Sequence, residues 1–287
     1  MGGRGSRSCA AHVHAEARHV RAISAYALPR RAPLARRLAA TRGHLLFERN
    51  LMVYRRTWLT IASGFFEPVF YLFSLGLGLG HFVGRVHGVS YAAYVAPALL
   101  ASSAMNGAVY DGLTNVFWKL RYGRVYDAML ATPIGPTDVA LGEAAWALFR
   151  GLLYSIGFLV TAAALGLVRS WWGLLALPAA AAVGFGFAGV AIGASTFIRG
   201  WQDFDIVQLV QLPMFLFSAT FYPLSVYPEA VQWLVRVSPL YHAIALVRSL
   251  TLGAVGVWNL LDTAYLVALG CAGIWLARRR MAGLLLT

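Results

Sequence analysis

Glu67, Asp111 and Arg150 each sit inside a long apolar stretch of this 287-residue sequence, where an ionised side chain costs several kcal/mol unless it is paired or wetted. Counted at about 1.5 Å per helical residue from the nearer end of each stretch, Glu67 and Arg150 lie roughly 15 Å deep and Asp111 about 10 Å. Three charges at similar depth on successive helices can pair. Arg150 is therefore expected to neutralise either Glu67 or Asp111 and to fix the packing of those helices rather than to touch a cargo. Gln208 and Gln211, at i and i+3, share a helix face and are expected to look toward the axis of an assembly or toward a conduit. Glu143, one turn inside its own stretch, reads as a helix-start charge near lipid headgroups.

The remaining reactive residue types do not assemble a catalytic or metal centre. A nucleotide-binding P-loop needs a glycine-rich turn followed by a lysine that reaches the phosphates, and the only lysine, Lys119, is followed by leucine. The glycines at 76, 78 and 80 follow no strand and read as helix-packing positions, as do those at 184, 186, 189 and 193. Cys9 and Cys271 lie at opposite ends of the chain, without disulfide or ligand spacing. His81 and His87 flank Arg85 in a short loop and read as solvated side chains. No catalytic residue, metal site or cofactor is expected on this chain, and energy for any pumping must come from a partner or an ion gradient.

The elements that must hold these residues are membrane helices. The sequence is 59% hydrophobic and 12% charged, against about 25% charged in an ordinary soluble protein. At roughly 20 apolar residues per span, the hydropathy pattern predicts six transmembrane helices, over about residues 57–80, 91–118, 139–168, 171–198, 204–222 and 252–277. The predicted fold is all-α. Between the last two spans, residues 223–250 hold two apolar segments too short to cross. Pro223 precedes them, Pro228 opens the first, Ser238-Pro239 opens the second, and Arg248 lies near the far end. A serine N-cap followed by proline is a helix start, so this segment is expected to form an external re-entrant pair of half-helices. Trp171, Trp172 and Trp201 fall at span ends, as interface anchors do.

Charge sets the orientation. Of the formal net charge of +13, about +10 lies before residue 58, where twelve arginines face only Glu16 and Glu48. With both termini in the cytoplasm, the inner side receives 19 Arg and Lys and the outer side only Arg85, Arg169, Arg236 and Arg248, the bias that positive-inside topology demands. A nucleic-acid tail is the competing use of such charge, but the segment has neither finger spacing nor stacking aromatics. Residues 1–42 are expected to be a disordered basic tail and residues 43–287 one membrane domain. At the start of the first span, residues 41–58 read as helical, with Phe47, Leu51, Tyr54 and Trp58 along one face and Arg42, Arg49 and Arg56 along the other; the interfacial helix is placed at 43–56. That is the pattern of a helix lying in the membrane interface; a surface helix docked on protein would show it too.

The longest polar interruption, KLRYGRVYDAMLATPIGPTD at residues 119–138, is predicted to form a short helix over 121–132 that ends before Pro133, because the residue before a proline is pushed out of helical geometry. The segment GRVYDAMLATPIGPTDVALGE resembles the loop between the second and third spans in permease subunits of the ABC-2 class. FLFSATFYPLSVYPEAVQWLVRVSPLYHAIALVRSL is similar to the C-terminal signature of that class. Together with FERNLMVYRRTWLTIASGFFEPVFYLFSLGLGLG, these segments make the chain similar, over about residues 44–280, to the branch containing nodulation-factor lipo-oligosaccharide exporters and daunorubicin-resistance permeases.

That resemblance implies a half-transporter of a bacterial plasma (inner) membrane: a second permease chain, identical or paralogous, and two copies of an ABC ATPase that would hold the ATP and Mg. It implies that Arg121, Tyr122, Gly123, Arg124, Val125, Tyr126, Asp127, Ala128, Leu130, Thr132 and Pro133 form the element that couples to the ATPase. The interfacial helix would also lie against the ATPase, and the half-helices would cap the outer end of the pathway. The implied cargo is amphipathic: a lipid, glycolipid, polysaccharide or hydrophobic drug moved outward. The alternative class, a secondary transporter or channel working without an ATPase, would be expected to show inverted repeats with broken spans near mid-membrane, and no such repeat is visible. A membrane-embedded enzyme would need His, Asp or Cys clustered at catalytic spacing.

Overall fold

The computed structural model describes residues 42–56, 66–86 and 88–285. The basic tail before residue 42, the first part of the first expected span, Trp58 and His87 lie outside the described residues. Helix α1 covers Gly43–Arg56 and α2 Phe66–Val83. A two-stranded hairpin follows, β1 Arg85–Val86 and β2 Val89–Ser90, with Arg85 opposite Ser90. Helix α3 spans Tyr91–Arg121, α4 Val125–Leu130, α5 Pro136–Ala164 and α6 Trp171–Ser195. Then come α7, Asp203–Phe217, α8, Glu229–Val237, α9, Pro239–Leu252, and α10, Trp258–Leu285.

Local chemistry sets the helix ends. The Ser90 hydroxyl accepts from the Ala93 amide at 3.4 Å to open α3, and Ser170 accepts from Trp172 at 3.3 Å to open α6, each satisfying an amide with no carbonyl partner in the first turn. Helix α5 opens on Pro136, and the Asp138 carboxylate accepts from the Gly135 amide at 2.9 Å and the Arg42 amide at 3.1 Å. Helix α9 starts on Pro239 and stops at Gly253, whose φ of +86° is the left-handed conformation that a side chain disfavours.

Among the described residues, five helices, α2, α3, α5, α6 and α10, are long and apolar enough to cross a membrane, or six if α8 and α9, bent by 84°, are counted as one span. The membrane architecture is thus all-helical with five to six spans. The expected fifth span, 204–222, is helical only over the 15 residues of α7, about 22 Å against the 30 Å of hydrocarbon. It stops early because Ala219 turns to a φ of +56°. The last helix begins at Trp258 rather than 252, after the break that starts at Gly253.

Helix α3 lies at the centre. Val95, Ala98, Leu99, Ala101, Ala104, Met105 and Ala108 are all buried, against a cluster that includes Phe158 of α5, Val183 and Phe187 of α6, and Ile244 and Val247 of α9. A helix apolar on every face belongs in such a position. Two glycines bring backbones into contact along α5. A methyl on Gly151 would sit 2.8 Å from the Ala104 carbonyl of α3, and one on Gly142 would sit 2.7 Å from both the Gly43 carbonyl and the Leu46 Cβ of α1. Glycine thus lets α3 and α1 press directly onto α5.

Candidate functional site

The seam where α1, α3 and α5 meet carries two buried polar clusters, one above the other. In the first, Lys119 Nζ lies 2.9 and 2.8 Å from the two Glu143 carboxylate oxygens and 3.0 Å from Asn50 Oδ1, while Asn50 Nδ2 donates to Glu143 at 3.2 Å. All three residues are at most 5% exposed. Glu143 is therefore not the headgroup-facing helix-start charge that its position in the sequence implies. Arg49 donates to Asn50 at 3.4 Å from the rim.

In the second cluster, Arg150 Nη1 lies 3.0 Å from Asp111 Oδ1, and the Arg150 Nε donates to the Tyr154 hydroxyl at 2.8 Å. The Tyr54 hydroxyl donates to Asp111 at 3.2 Å, and Asn115 donates to the same oxygen at 3.2 Å. The guanidinium also lies over the Tyr110 ring, 4.9 Å from its centroid, a favourable placement for a desolvated cation. Of the two partners expected for Arg150, the structure selects Asp111; Glu67 lies elsewhere. Burial, and next the Asp111 carboxylate, push the Tyr54 phenol well above its ordinary pKa.

The same three helices supply both clusters. Asn50 and Tyr54 are one turn apart on α1, Glu143 and Arg150 two turns apart on α5, and on α3 Asp111 opens a widened π-turn, Asp111–Asn115, with Lys119 one turn beyond its end. Each cluster holds one acid and one base among neutral hydrogen-bonding groups, so neither buries net charge, the condition under which ions are tolerated in low dielectric.

The face of α1 that meets α5 is rotated from the expected one. Gly43, Leu46 and Asn50 are buried, Phe47 and Tyr54 half-buried, and Leu51 is 47% exposed. Phe47 packs edge-on to Trp146 and Phe149, and Tyr54 against Trp146. Arg42 caps the start of α5 and donates to the Pro133 carbonyl at 3.2 Å. The Arg56 side chain lies outside the described residues.

The loop between α3 and α5 forms a shorter helix than expected. Arg121 ends α3, and Tyr122 stacks back on Trp118 and Trp201. The Gly123 amide donates to the Trp118 carbonyl at 2.9 Å. Arg124, with a φ of +42°, then redirects the chain into the six residues of α4, which end before Thr132, whose hydroxyl returns to the Met129 carbonyl at 2.5 Å. Arg121, Arg124, Asp127, Ala128, Thr132 and Pro133 are exposed, and Val125 and Leu130 half-buried. Tyr126 alone is 0% exposed, packed among Leu46, Val139, Ala140 and Met281. Its phenol is pushed well above its ordinary pKa by burial and by Glu143, which it faces, although its oxygen makes no full hydrogen bond among the described residues.

On the other side of α3, a polar cleft runs between α2, α3 and α7. Its two adjoining cavities, of about 120 and 240 Å³, share Glu67, Asn106, Gln208 and Gln211 as lining. Gln211 donates to Asn106 at 3.0 Å. Tyr110 and Thr114 line the larger cavity. The shared face expected for the two glutamines is thus a wall of this cleft, and Glu67 joins it rather than Arg150.

At the end of the bundle where α3 begins, Pro223 precedes a short 3-10 turn, Pro228 caps α8 and Pro239 opens α9. Arg248 donates to the Ala219 carbonyl at 2.9 Å and lies 4.0 Å from the Tyr94 ring centroid. It thereby holds the break after α7 against α9 and α3.

Sequence reasoning neither pairs Lys119 with Glu143 nor singles out Asn50 and Asn106. The signal available for the pair is that the lone lysine and a glutamate occupy facing ends of consecutive spans.

A family model described as ABC-2 type transporter matches residues 43–252. Nodulation protein J of Rhizobium meliloti (strain 1021) is 36% identical over 212 residues, 73% of this chain and 80% of its own length. Nodulation protein J of Rhizobium leguminosarum bv. trifolii is 37% identical over 211 residues, covering 72% and 80%. The inner membrane transport permease YadH of Escherichia coli (strain K12) is 26% identical over 206 residues, covering 70% and 78%.

Proposed function

Because the chain belongs to the ABC-2 type transporter family, and so is a multi-pass permease of the inner membrane, we propose that it is the membrane subunit of an ATP-driven exporter of an amphipathic substrate. In this reading two copies of an ABC ATPase dock at the α4 end, a second permease chain, identical or paralogous, completes the membrane part, and both termini face the cytoplasm. The observation that carries it is the build of α4: six residues, pegged into the protein by Tyr126, with Asp127, Ala128 and the flanking Arg121, Arg124 and Pro133 left facing out. An isolated helix that short is unstable in water, so it is held in place by the spans and presented to whatever docks there. The cleft of Glu67, Asn106, Gln208 and Gln211 supplies hydrogen-bonding groups beside the apolar Leu99, Met105, Leu212 and Phe215, the pairing of surfaces that an amphipathic cargo needs.

Copurification tests the docking. Asp127→Arg and Ala128→Trp alter the exposed face of α4 without touching Tyr126. They are expected to abolish recovery of the ATPase with the permease while the thermal transition of the permease stays in place. Full recovery of the ATPase with both variants would remove α4 as the docking element. Mass spectrometry of lipid or glycan retained by the complex identifies the cargo.

A further inference from the structure

We infer that Arg248 receives the phosphate of a bilayer phospholipid at the end of the bundle where α3 begins. The inference stands apart from ATPase docking at α4 and from the identity of the cargo. It starts from a charge that the chain leaves uncompensated. Arg248 is half-buried, and its Nε is enclosed without a hydrogen-bond partner. Among the described residues its one hydrogen bond runs from Nη2 to the Ala219 carbonyl, at 2.9 Å. Every acidic side chain of the sequence except Glu16, in the N-terminal basic segment, belongs to those residues, and none forms an ion pair with Arg248. The titratable side chains that bear on it are the phenols of Tyr94 and Tyr241, not carboxylates.

Arg150 shows what compensation looks like in the same fold. Its guanidinium lies over the Tyr110 ring, 4.9 Å from the centroid, and also holds the Asp111 carboxylate at 3.0 Å. Arg248 has the ring, Tyr94 at 4.0 Å, and no carboxylate. A ring face and one carbonyl stabilise a cation without cancelling its charge, and a desolvated charge with no counter-ion is the costly arrangement. An anion from outside the chain supplies what is missing. With Nε enclosed and Nη2 on the carbonyl, Nη1 is the nitrogen left to meet it, and a guanidinium N–H bonded to a phosphate oxygen is of the strong, charge-assisted kind.

The level of Arg248 selects the source of that anion. One turn further along α9, the Thr251 carbonyl accepts from the Arg169 amide at 3.2 Å, which ties the end of α9 to the start of α6. Trp171 and Trp172 open α6, Trp258 opens α10 shortly after α9 ends, and all three are exposed. Exposed tryptophans at span ends mark the headgroup level of a bilayer. Arg248 lies one helical turn, about 5 Å, inside that level, as does Tyr94 on α3. An arginine at this depth reaches the phosphates of the lipids around the bundle.

The test uses the full-length permease in dodecyl maltoside, a detergent without phosphate, and native mass spectrometry to titrate phosphatidylglycerol against the neutral diacylglycerol of the same chains. Compared with the parent, Arg248→Gln is expected to hold one phosphatidylglycerol per chain at least about tenfold more weakly, the loss of one charge-assisted bond. Its diacylglycerol retention should not change. Arg248→Lys is expected to keep part of the affinity, and Arg236→Gln, which removes an exposed arginine over Trp233, to keep all of it. Phosphatidylglycerol retention in Arg248→Gln equal to the parent's overturns the site. So does an equal loss in Arg236→Gln, which would trace retention to net charge, or a parallel loss of diacylglycerol, which would leave Arg248 as a brace for the break at Ala219. Should Arg248→Gln fail to fold, the parent chain carries the test through phenylglyoxal labelling of arginines, read by peptide mass spectrometry. Phosphatidylglycerol is expected to slow labelling of Arg248 about tenfold and that of Arg236 not at all. Equal protection by inorganic phosphate would make free phosphate the occupant and overturn the lipid assignment, and labelling indifferent to both overturns the site.

Discussion

The Nζ of Lys119 lies 2.8 and 2.9 Å from the two carboxylate oxygens of Glu143, 24 positions away in the sequence, with both side chains buried. Removing one member leaves the other charged and dry, which typically costs about 3–5 kcal/mol, whereas replacing both with uncharged groups of similar size is close to neutral. Glu143→Gln alone and Lys119→Met alone are therefore expected to lower the thermal midpoint of the detergent-solubilised permease strongly, and the double variant to recover most of the loss. Additive losses in the double variant would show that the pair is not coupled.

Arg150 makes a sharper case because the sequence leaves it two partners. The structure pairs it with Asp111 at 3.0 Å and lines the cleft with Glu67 instead. Arg150→Glu combined with Asp111→Arg is expected to restore part of the stability and membrane yield lost in either single variant. Arg150→Glu combined with Glu67→Arg should restore none. Equal recovery in both pairs, read by size-exclusion profiles, would remove the assignment.

The contrast between these two ion pairs shows what the sequence discloses. Depth counting finds Asp111 and Arg150 because each is a charge isolated within an apolar run. Lys119 and Glu143 stand at span ends, where charges are ordinary, and only the folding of residues 122–135 back onto the bundle turns them inward. The buried face of α1 departs from the hydropathy pattern for a related reason: Leu51 is the more apolar residue, yet Asn50 is the one buried, because its amide bridges Lys119 and Glu143. Tertiary hydrogen bonding there outweighs hydropathy. The long apolar helices α3, α5 and α6 are legible to within three or four residues at their ends, because each is a continuous apolar run bounded by polar residues. The early stop of α7 is not legible, because nothing in Phe-Ser-Ala-Thr marks Ala219 for a left-handed turn that the Arg248 side chain holds.

Tyr126 and Tyr54 carry a pH signature. Both phenols are held above their ordinary pKa, mainly by burial and next by a neighbouring carboxylate. The unfolded chain thus releases these protons first, near pH 10. The stabilisation is fully present below that pH and is lost as pH rises from there toward the folded values. Phenolate absorbance of the folded protein should show a late-titrating fraction that appears only with unfolding. Tyr126→Phe is expected to shrink that fraction and to move the alkaline unfolding midpoint upward. An unchanged late fraction in Tyr126→Phe would mean that this phenol is open to water.

The seam between α6 and α10 bears on whether small residues or side-chain shape hold the spans together. A Cβ on Gly189 would collide with the backbone of Gly270, and one on Gly273 with the backbone of Gly189, whereas one on Gly78 of α2 would meet nothing within 4 Å among the described residues. Without a hydrophobic drive between helices in lipid, such backbone contact is a main source of association. Gly189→Ala must push α10 away, and overpacking of this kind costs about 1–3 kcal/mol. Gly78→Ala meets nothing and trades a flexible residue for a better helix former, with an expected effect near zero or slightly stabilising. Thermal unfolding of the two variants in the same detergent separates these outcomes. A Gly189→Ala protein as stable as Gly78→Ala would show that α6 and α10 are held by the side chains around the glycines, and that the close approach is incidental.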